Sequence, residues 1–224
     1  MNTLIYRCSG LSEVPKRITA LTPAIFFDRD GTIIEEKHYL KQITDIRFLH
    51  GVISGLKKLK LINLPLYLVT NQAGIAHGYF DESTLEEIHL FLLRELAKAN
   101  IFLKGVYYCP HHPTAKIDQY CLNCYGRKPE PGLLFKAAEI DALDLNWSYF
   151  IGDKLSDIAA GKKAGMKTIL VLTGYGKEER AKITMINSPD YIAQNFLQAT
   201  NWILKDYYYR RLERTSRLRV SENA

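Results

Sequence analysis

A parallel β-sheet covered by helices on both faces, a Rossmann-like α/β fold, is the architecture this sequence predicts. Three observations predict it. Apolar runs of strand length recur along the chain, stretches of helical period separate them, and polar residues with chemical potential follow nearly every run.

The first run, residues 24–27, ends directly on Asp28-Arg29-Asp30-Gly31-Thr32. Residues 52–61 then space their apolar side chains three and four apart, which predicts a helix. A second strand is expected over 66–70, followed by Thr70-Asn71-Gln72. Asp81 is a candidate N-cap for a helix over 82–99, where Leu85, Ile88, Leu92 and Leu96 share one face. The third strand, 105–109, runs into a group of cysteines and histidines. Pro131 opens a helix over 133–143, and the fourth strand, 149–152, ends at Asp153-Lys154. A short helix over 156–164 stops near Gly165, and a fifth strand is expected over 168–172. In sheets of this kind ligands bind at the carboxyl ends of the strands. Four of these five strand ends carry reactive polar residues, so together they describe one functional face.

The 224 residues suffice for one well-buried core, divided as an N-terminal extension (1–22), a catalytic domain (23–200) and a basic C-terminal helix or tail (201–224). No apolar run approaches the ~20 residues that span a bilayer, and residues 1–17 lack the apolar core of a signal peptide. A cytoplasmic location is expected. The net charge is +6, and the last twenty residues set six Lys and Arg against three Asp and Glu beside three consecutive tyrosines. Such a tail reads as a solvated helix end or as a nucleic-acid contact. Trp147 and Trp202 are expected to pack in the core.

Asp28 and Asp30, two apart on an extended chain, point to the same side and repel unless a positive charge lies between them. Asp153 and Asp157 approach from another strand. A hard divalent cation with oxygen ligands, Mg²⁺, fits such carboxylates, and Lys128 and Lys154 add fixed positive charge. Carboxylates, Mg²⁺ and lysines together suit a phosphoryl group. Asp28 is the candidate nucleophile, forming an aspartyl-phosphate, and Asp30 the acid and base. Thr70 offers a hydroxyl to the phosphate. Cys109, Cys121 and Cys124 fall within sixteen residues beside His111 and His112, and clustered Cys and His of this kind suggest a metal such as Zn²⁺ rather than disulfides.

Four ordered pieces, DRDGT at 28–32, TNQ at 70–72, RKP at 127–129 and GDKLSD at 152–157, resemble the haloacid dehalogenase-like phosphatases. The resemblance implies Asp28 as nucleophile and Asp30 as acid/base. It also implies Mg²⁺ held by Asp28, the Asp30 carbonyl and Asp153, with Thr70 and Lys128 on the phosphate. TNQAGIAHGYF (70–80), YYCPHHP (107–113), a cysteine pair and RKPEPG (127–132) narrow it to the subgroup of heptose-1,7-bisphosphate 7-phosphatases and histidinol-phosphate phosphatases, over residues 23–185. This subgroup implies a structural zinc on Cys109, His111, Cys121 and Cys124. It further implies substrate contacts from Asn71, Gln72, Arg127 and Lys154, and from Glu36 and Tyr39 on the loop after the first strand.

Two departures stand out. The family pattern has its last two cysteines one residue apart with Arg-Lys-Pro directly after. Here Cys121 and Cys124 are a C-x-x-C, and Tyr125-Gly126 intervene before Arg127. His77 stands where the family often has Arg. The expected reaction is loss of the 7-phosphate from heptose 1,7-bisphosphate by a monomer acting on a small phosphorylated sugar, without membrane or nucleic-acid partners. Histidinol phosphate and a polynucleotide 3′-phosphate are the alternative substrates. A zinc-dependent nucleic-acid-binding module is the non-enzymatic alternative.

Overall fold

A computed structural model describes residues 3–8 and 22–222. Its elements are β1 (Leu4–Arg7), β2 (Ile25–Phe27), α1 (Val52–Leu59), β3 (Leu66–Asn71), α2 (Ala73–Ala76), α3 (Glu82–Lys98) and β4 (Gly105–Cys109) in the first half. The second half holds α4 (Gly132–Asp141), β5 (Tyr149–Gly152), α5 (Leu155–Lys163), β6 (Lys167–Val171), α6 (Gly176–Arg180), β7 (Tyr191–Ala193) and α7 (Phe196–Glu222). All seven strands are parallel, in the order β1-β4-β3-β2-β5-β6-β7.

Successive strand side chains alternate between two apolar layers, as the period of two requires. Ile25 and Phe27 face one layer with Leu66, Leu68 and Ile151, packed against Val52, Leu56, Ile88, Leu92, Leu96, Phe196 and Ile203 of α1, α3 and α7. Phe26 faces the other with Tyr67, Val69, Tyr107 and Phe150, covered by Leu133, Leu134 and Ala137 of α4 and Ala160 of α5. Burial on both faces accounts for the unbroken apolar runs of the central strands.

The helix expected over 52–61 ends as α-helix at Leu59 and tightens into a 3₁₀ turn over Lys60–Ile62, which leaves Leu61 74% exposed. Asp81 caps α3 by accepting from the Thr84 N–H at 2.8 Å. Within the N-terminal extension, Leu4–Arg7 add an edge strand to β4; residues 9–21 lie outside the described residues. The basic tail continues α7. Its Trp202 stacks on Tyr191 with ring centroids 5.1 Å apart, and Arg210 lies 4.4 Å over the Trp147 ring. Both tryptophans therefore serve packing. No helix among the described residues is long and apolar enough to cross a membrane.

Strand order reverses at the junction of β2 and β5, where the chain turns from building outward through β3 and β4 to building outward through β6 and β7. Asp28 and Asp153 end those two strands, so both carboxylates stand at the switch point.

Candidate active site

A cavity of about 480 Å³ opens over the carboxyl ends of the central strands. Asp28, Asp30, Glu36, Tyr39, Thr70, Asn71, Gln72, Arg127, Lys128 and Lys154 all line it, as does Asp157. Every catalytic and substrate-contacting residue expected from sequence therefore meets at one place. Asp153, fully buried, stands close behind them.

The expected pairing of Asp28 with Asp30 is corrected by the structure. The carboxylates that converge are those of Asp28, Asp153 and Asp157, whose oxygens lie within 4.8 Å of one another. Asp30 is held apart. The chain leaves the extended conformation after Phe27 and turns at Gly31 (φ +75°), so the strand rule for i and i+2 no longer applies. A side chain at Gly31 would also overlap the Asp153 carboxylate, so this turn supplies the room in which Asp153 sits.

Lys128 answers part of the charge. Its buried ammonium lies 2.9 Å from Asp28 and 2.6 Å from Asp157, and donates to the Val69 carbonyl at 2.8 Å. Burial works against the Asp28 carboxylate, yet Lys128 and Lys154 hold its pKa below the ordinary value. Asp157 is pushed up to about 6 by burial, with Lys128 opposing and Asp28 adding to the rise. Asp153 is driven well above the ordinary range by burial, then by the charges of Asp28 and Asp157. Its Oδ2 accepts from the Tyr175 N–H at 2.9 Å, while its Oδ1 is buried without a hydrogen-bond partner. Three converging carboxylates, two of them paired with Lys128 and the third with an orphaned oxygen, fit a hard divalent cation of the size and ligand preference of Mg²⁺.

Asp157 has two tasks. Besides pairing with Lys128, it accepts from the Lys154 N–H at 3.0 Å and so closes the amino terminus of α5. The Lys154 ammonium reaches Glu36 at 3.3 Å and lies 4.6 Å over the Tyr175 ring. Burial would lower its pKa, but Asp28, Asp153 and Glu36 outweigh it and raise it. Lys154 is thus a fixed cation at the cavity wall.

Arg29, unremarked in the sequence, secures Asp30. Its guanidinium is buried and meets the Asp30 carboxylate at 2.9 Å, with Nε 3.1 and 3.2 Å from the two oxygens. Gln72 completes the clamp, donating to Asp30 at 3.0 Å and to the Thr70 hydroxyl at 2.8 Å while accepting from Arg29 at 2.9 Å. Behind Arg29, at 3.2 Å, lies the ring of His89 from α3. Burial, then the charge of Arg29, push His89 well below its ordinary pKa, so the ring is neutral. A guanidinium only donates, so His89 Nε2 accepts and Nδ1 carries the proton. His38 and Tyr175, also cavity residues, join through a 2.8 Å hydrogen bond. Tyr175 follows β6, and the strand-end rule applied to that last strand would have found it.

Asn71 fixes the 127–128 loop from both sides, donating to the Lys128 carbonyl at 2.9 Å and accepting from its N–H at 3.1 Å. Arg127 donates to the His111 carbonyl at 3.0 Å, which ties the cavity to the cysteine cluster. His112 bonds Thr114 and lies 4.9 Å from the His77 ring, away from the cluster.

The cluster itself departs from expectation. Cys109, His111 and Cys124 come together, but the fourth member is Cys8, and all four ligand atoms lie within 4.8 Å of one another. Cys121 is exposed and its thiol faces the Pro113 carbonyl at 3.4 Å. The cause is local. Tyr120 is buried, with its hydroxyl donating to Glu82 at 2.6 Å, and the adjacent Cys121 is turned outward. Three thiols and one imidazole in a compact buried group fit a tetrahedral zinc ion.

The chain is similar to known proteins in sequence and in fold. A family model described as "HAD-hyrolase-like" matches residues 125–199. The D-glycero-beta-D-manno-heptose-1,7-bisphosphate 7-phosphatase of Photorhabdus laumondii is 43% identical over 170 residues, 74% of this chain and 90% of its own length. The enzyme of the same name from Salmonella typhi is 38% identical over 82% of this chain and 96% of its own. A D,D-heptose 1,7-bisphosphate phosphatase from B. bronchiseptica, solved with magnesium and phosphate, superposes with a TM-score of 0.73 at 28% identity, covering 83% of this chain and 99% of that one. The chain therefore belongs to the haloacid dehalogenase-like hydrolases, in the family of the heptose-1,7-bisphosphate 7-phosphatases.

Proposed function

We propose that the protein removes the 7-phosphate of D-glycero-D-manno-heptose 1,7-bisphosphate, with Asp28 as nucleophile and Asp30 as acid and base. One observation carries the assignment of roles: Asp28 lies among the converging carboxylates at the switch point, whereas Asp30 stands apart from them on the cavity wall. Asp28 is buried between cations that keep it ionised, as a nucleophile requires. Asp30, 16% exposed, is clamped by Arg29 and Gln72 at the cavity wall, where a sugar oxygen enters.

Asp28 attacks phosphorus in line, and Asp30 gives its proton to the departing sugar oxygen. Asp30, now ionised, takes a proton from the water that attacks the aspartyl-phosphate, which frees inorganic phosphate and returns both residues to their starting states. Lys128, the Thr70 hydroxyl and Lys154 surround the phosphoryl oxygens as charge shifts. Asp28, Asp153 and the Asp30 carbonyl would hold Mg²⁺, which would supply neutralisation of the carboxylates and of the phosphoryl group. Arg127, Glu36 and Tyr39 meet the sugar or its second phosphate. Zinc on the cysteine cluster is structural, since the cluster is buried apart from the cavity. Reduced thiols committed to a metal suit a cytoplasmic enzyme, acting here as a monomer on a small phosphorylated sugar.

Phosphate release from heptose 1,7-bisphosphate, histidinol phosphate and a 3′-phosphorylated oligonucleotide tests the reading side by side. The bisphosphate should turn over at least about tenfold faster in kcat/KM, a difference of about 1.4 kcal/mol in transition-state binding. A preference for histidinol phosphate or the oligonucleotide would reject the sugar assignment.

A further inference from the structure

We propose that Cys8, carried by the edge strand β1, is the fourth ligand of the zinc site with Cys109, His111 and Cys124, and that Cys121 is not a ligand. This rests on the zinc reading above. It adds a ligand that lies 101 residues away from the loop in which the others sit, and it makes the metal a link between the first strand and the phosphate-binding loop.

Three independent features place Cys8 there. Sheet register is the first. β1 runs parallel to β4 with Arg7 opposite Tyr108, and the Cys8 N–H donates to the Tyr108 carbonyl at 2.9 Å, so Cys8 and Cys109 leave neighbouring strands side by side. Distance is the second. Cys8 Sγ lies 2.8 Å from Cys124 Sγ, and Cys109 Sγ lies 3.7 Å from His111 Nδ1. With Zn–S near 2.3 Å and Zn–N near 2.0–2.1 Å, the edges of a tetrahedral site are about 3.4–3.8 Å, so small movements of the thiols complete it. The third is Gly126. A side chain at this position would overlap the Cys8 sulfur, so the inserted Tyr125-Gly126 pair opens the space that Cys8 fills.

Burial also separates the two cysteines. Cys8 is completely buried, whereas Cys121 faces solvent beside the anchored Tyr120. Arg127 is bonded to the carbonyl of the ligand His111, so tension on the cluster reaches the cavity through one hydrogen bond.

Zinc content and Co²⁺ absorption of the full chain decide the matter, with wild type, Cys8→Ser and Cys121→Ser compared. Wild type should hold one zinc and, with Co²⁺ in its place, show sulfur-to-metal absorption of three-thiolate intensity. Cys121→Ser should match wild type. Cys8→Ser should show two-thiolate intensity and bind metal more weakly by at least the roughly 100-fold that losing even an outer partner can cause. Should Cys8→Ser fail to fold, Cys121→Ser still decides: a drop to two-thiolate intensity there overturns the proposal. A wild-type protein without stoichiometric zinc or cobalt, or one in which intact mass shows a Cys8–Cys124 disulfide, overturns the zinc reading itself.

Discussion

Asp157→Asn should stabilise the Mg²⁺-free protein at neutral pH while leaving it nearly unchanged in acid. In the wild type the Asp157 carboxyl is moved from 3.8 to about 6, first by burial, with Asp28 adding and Lys128 opposing. A carboxyl whose folded pKa is raised favours folding below its unfolded pKa, and that contribution is lost as pH rises through the folded value. The window is therefore pH 4 to 6. A rise of about two pH units, at 1.36 kcal/mol each, corresponds to about 3 kcal/mol. Asparagine resembles the protonated acid and cannot ionise, so the difference between the proteins reports the Asp157 charge together with the response of Asp153 to it. Urea denaturation between pH 3.5 and 8 in Mg²⁺-free buffer measures it. Relative to the variant, the wild type should lose about 3 kcal/mol between pH 4 and 7, and saturating Mg²⁺ should restore most of that to the wild type. Parallel profiles, or a wild type that gains stability across this window, would refute the claim that the carboxylate cluster carries excess negative charge.

Asp28→Asn should lower the rate of phosphate release by at least about 1000-fold in steady-state assays, as loss of a nucleophile does, without unfolding the chain. Arg29→Met removes charged hydrogen bonds worth about 1.5–3 kcal/mol from Asp30, so kcat should fall by about 10- to 100-fold with KM little changed in steady-state assays. Trp202→Ala deletes the ring stacked on Tyr191 and should cost about 2 kcal/mol in urea titrations, below the roughly 3–5 of a fully buried aromatic because Trp202 is only half-buried.

How much of this was legible depended on range along the chain. β2, β3, β4, β5 and β6 read directly as apolar runs because burial on both faces confines their polar residues to the strand ends. β1 and β7 were hidden. Both are edge strands with partly exposed side chains, so neither has the buried apolar run that identifies a strand. Asp28, Asp153 and Lys154 were found because strand ends form the ligand face of such folds. Arg29 was not, since nothing in DRDGT tells which of its charged residues turns inward. Cys8 was out of reach for a different reason. Its place in the cluster depends on β1 docking beside β4, a contact between segments 101 residues apart that no local pattern announces.

The central claim is that Asp28 becomes covalently phosphorylated, and the stereochemical course at phosphorus tests it most directly. With an isotopically chiral 7-phosphorothioate in labelled water, two successive in-line displacements, one by Asp28 and one by water, predict net retention. Inversion would mean a single direct attack by water, and would contradict the account.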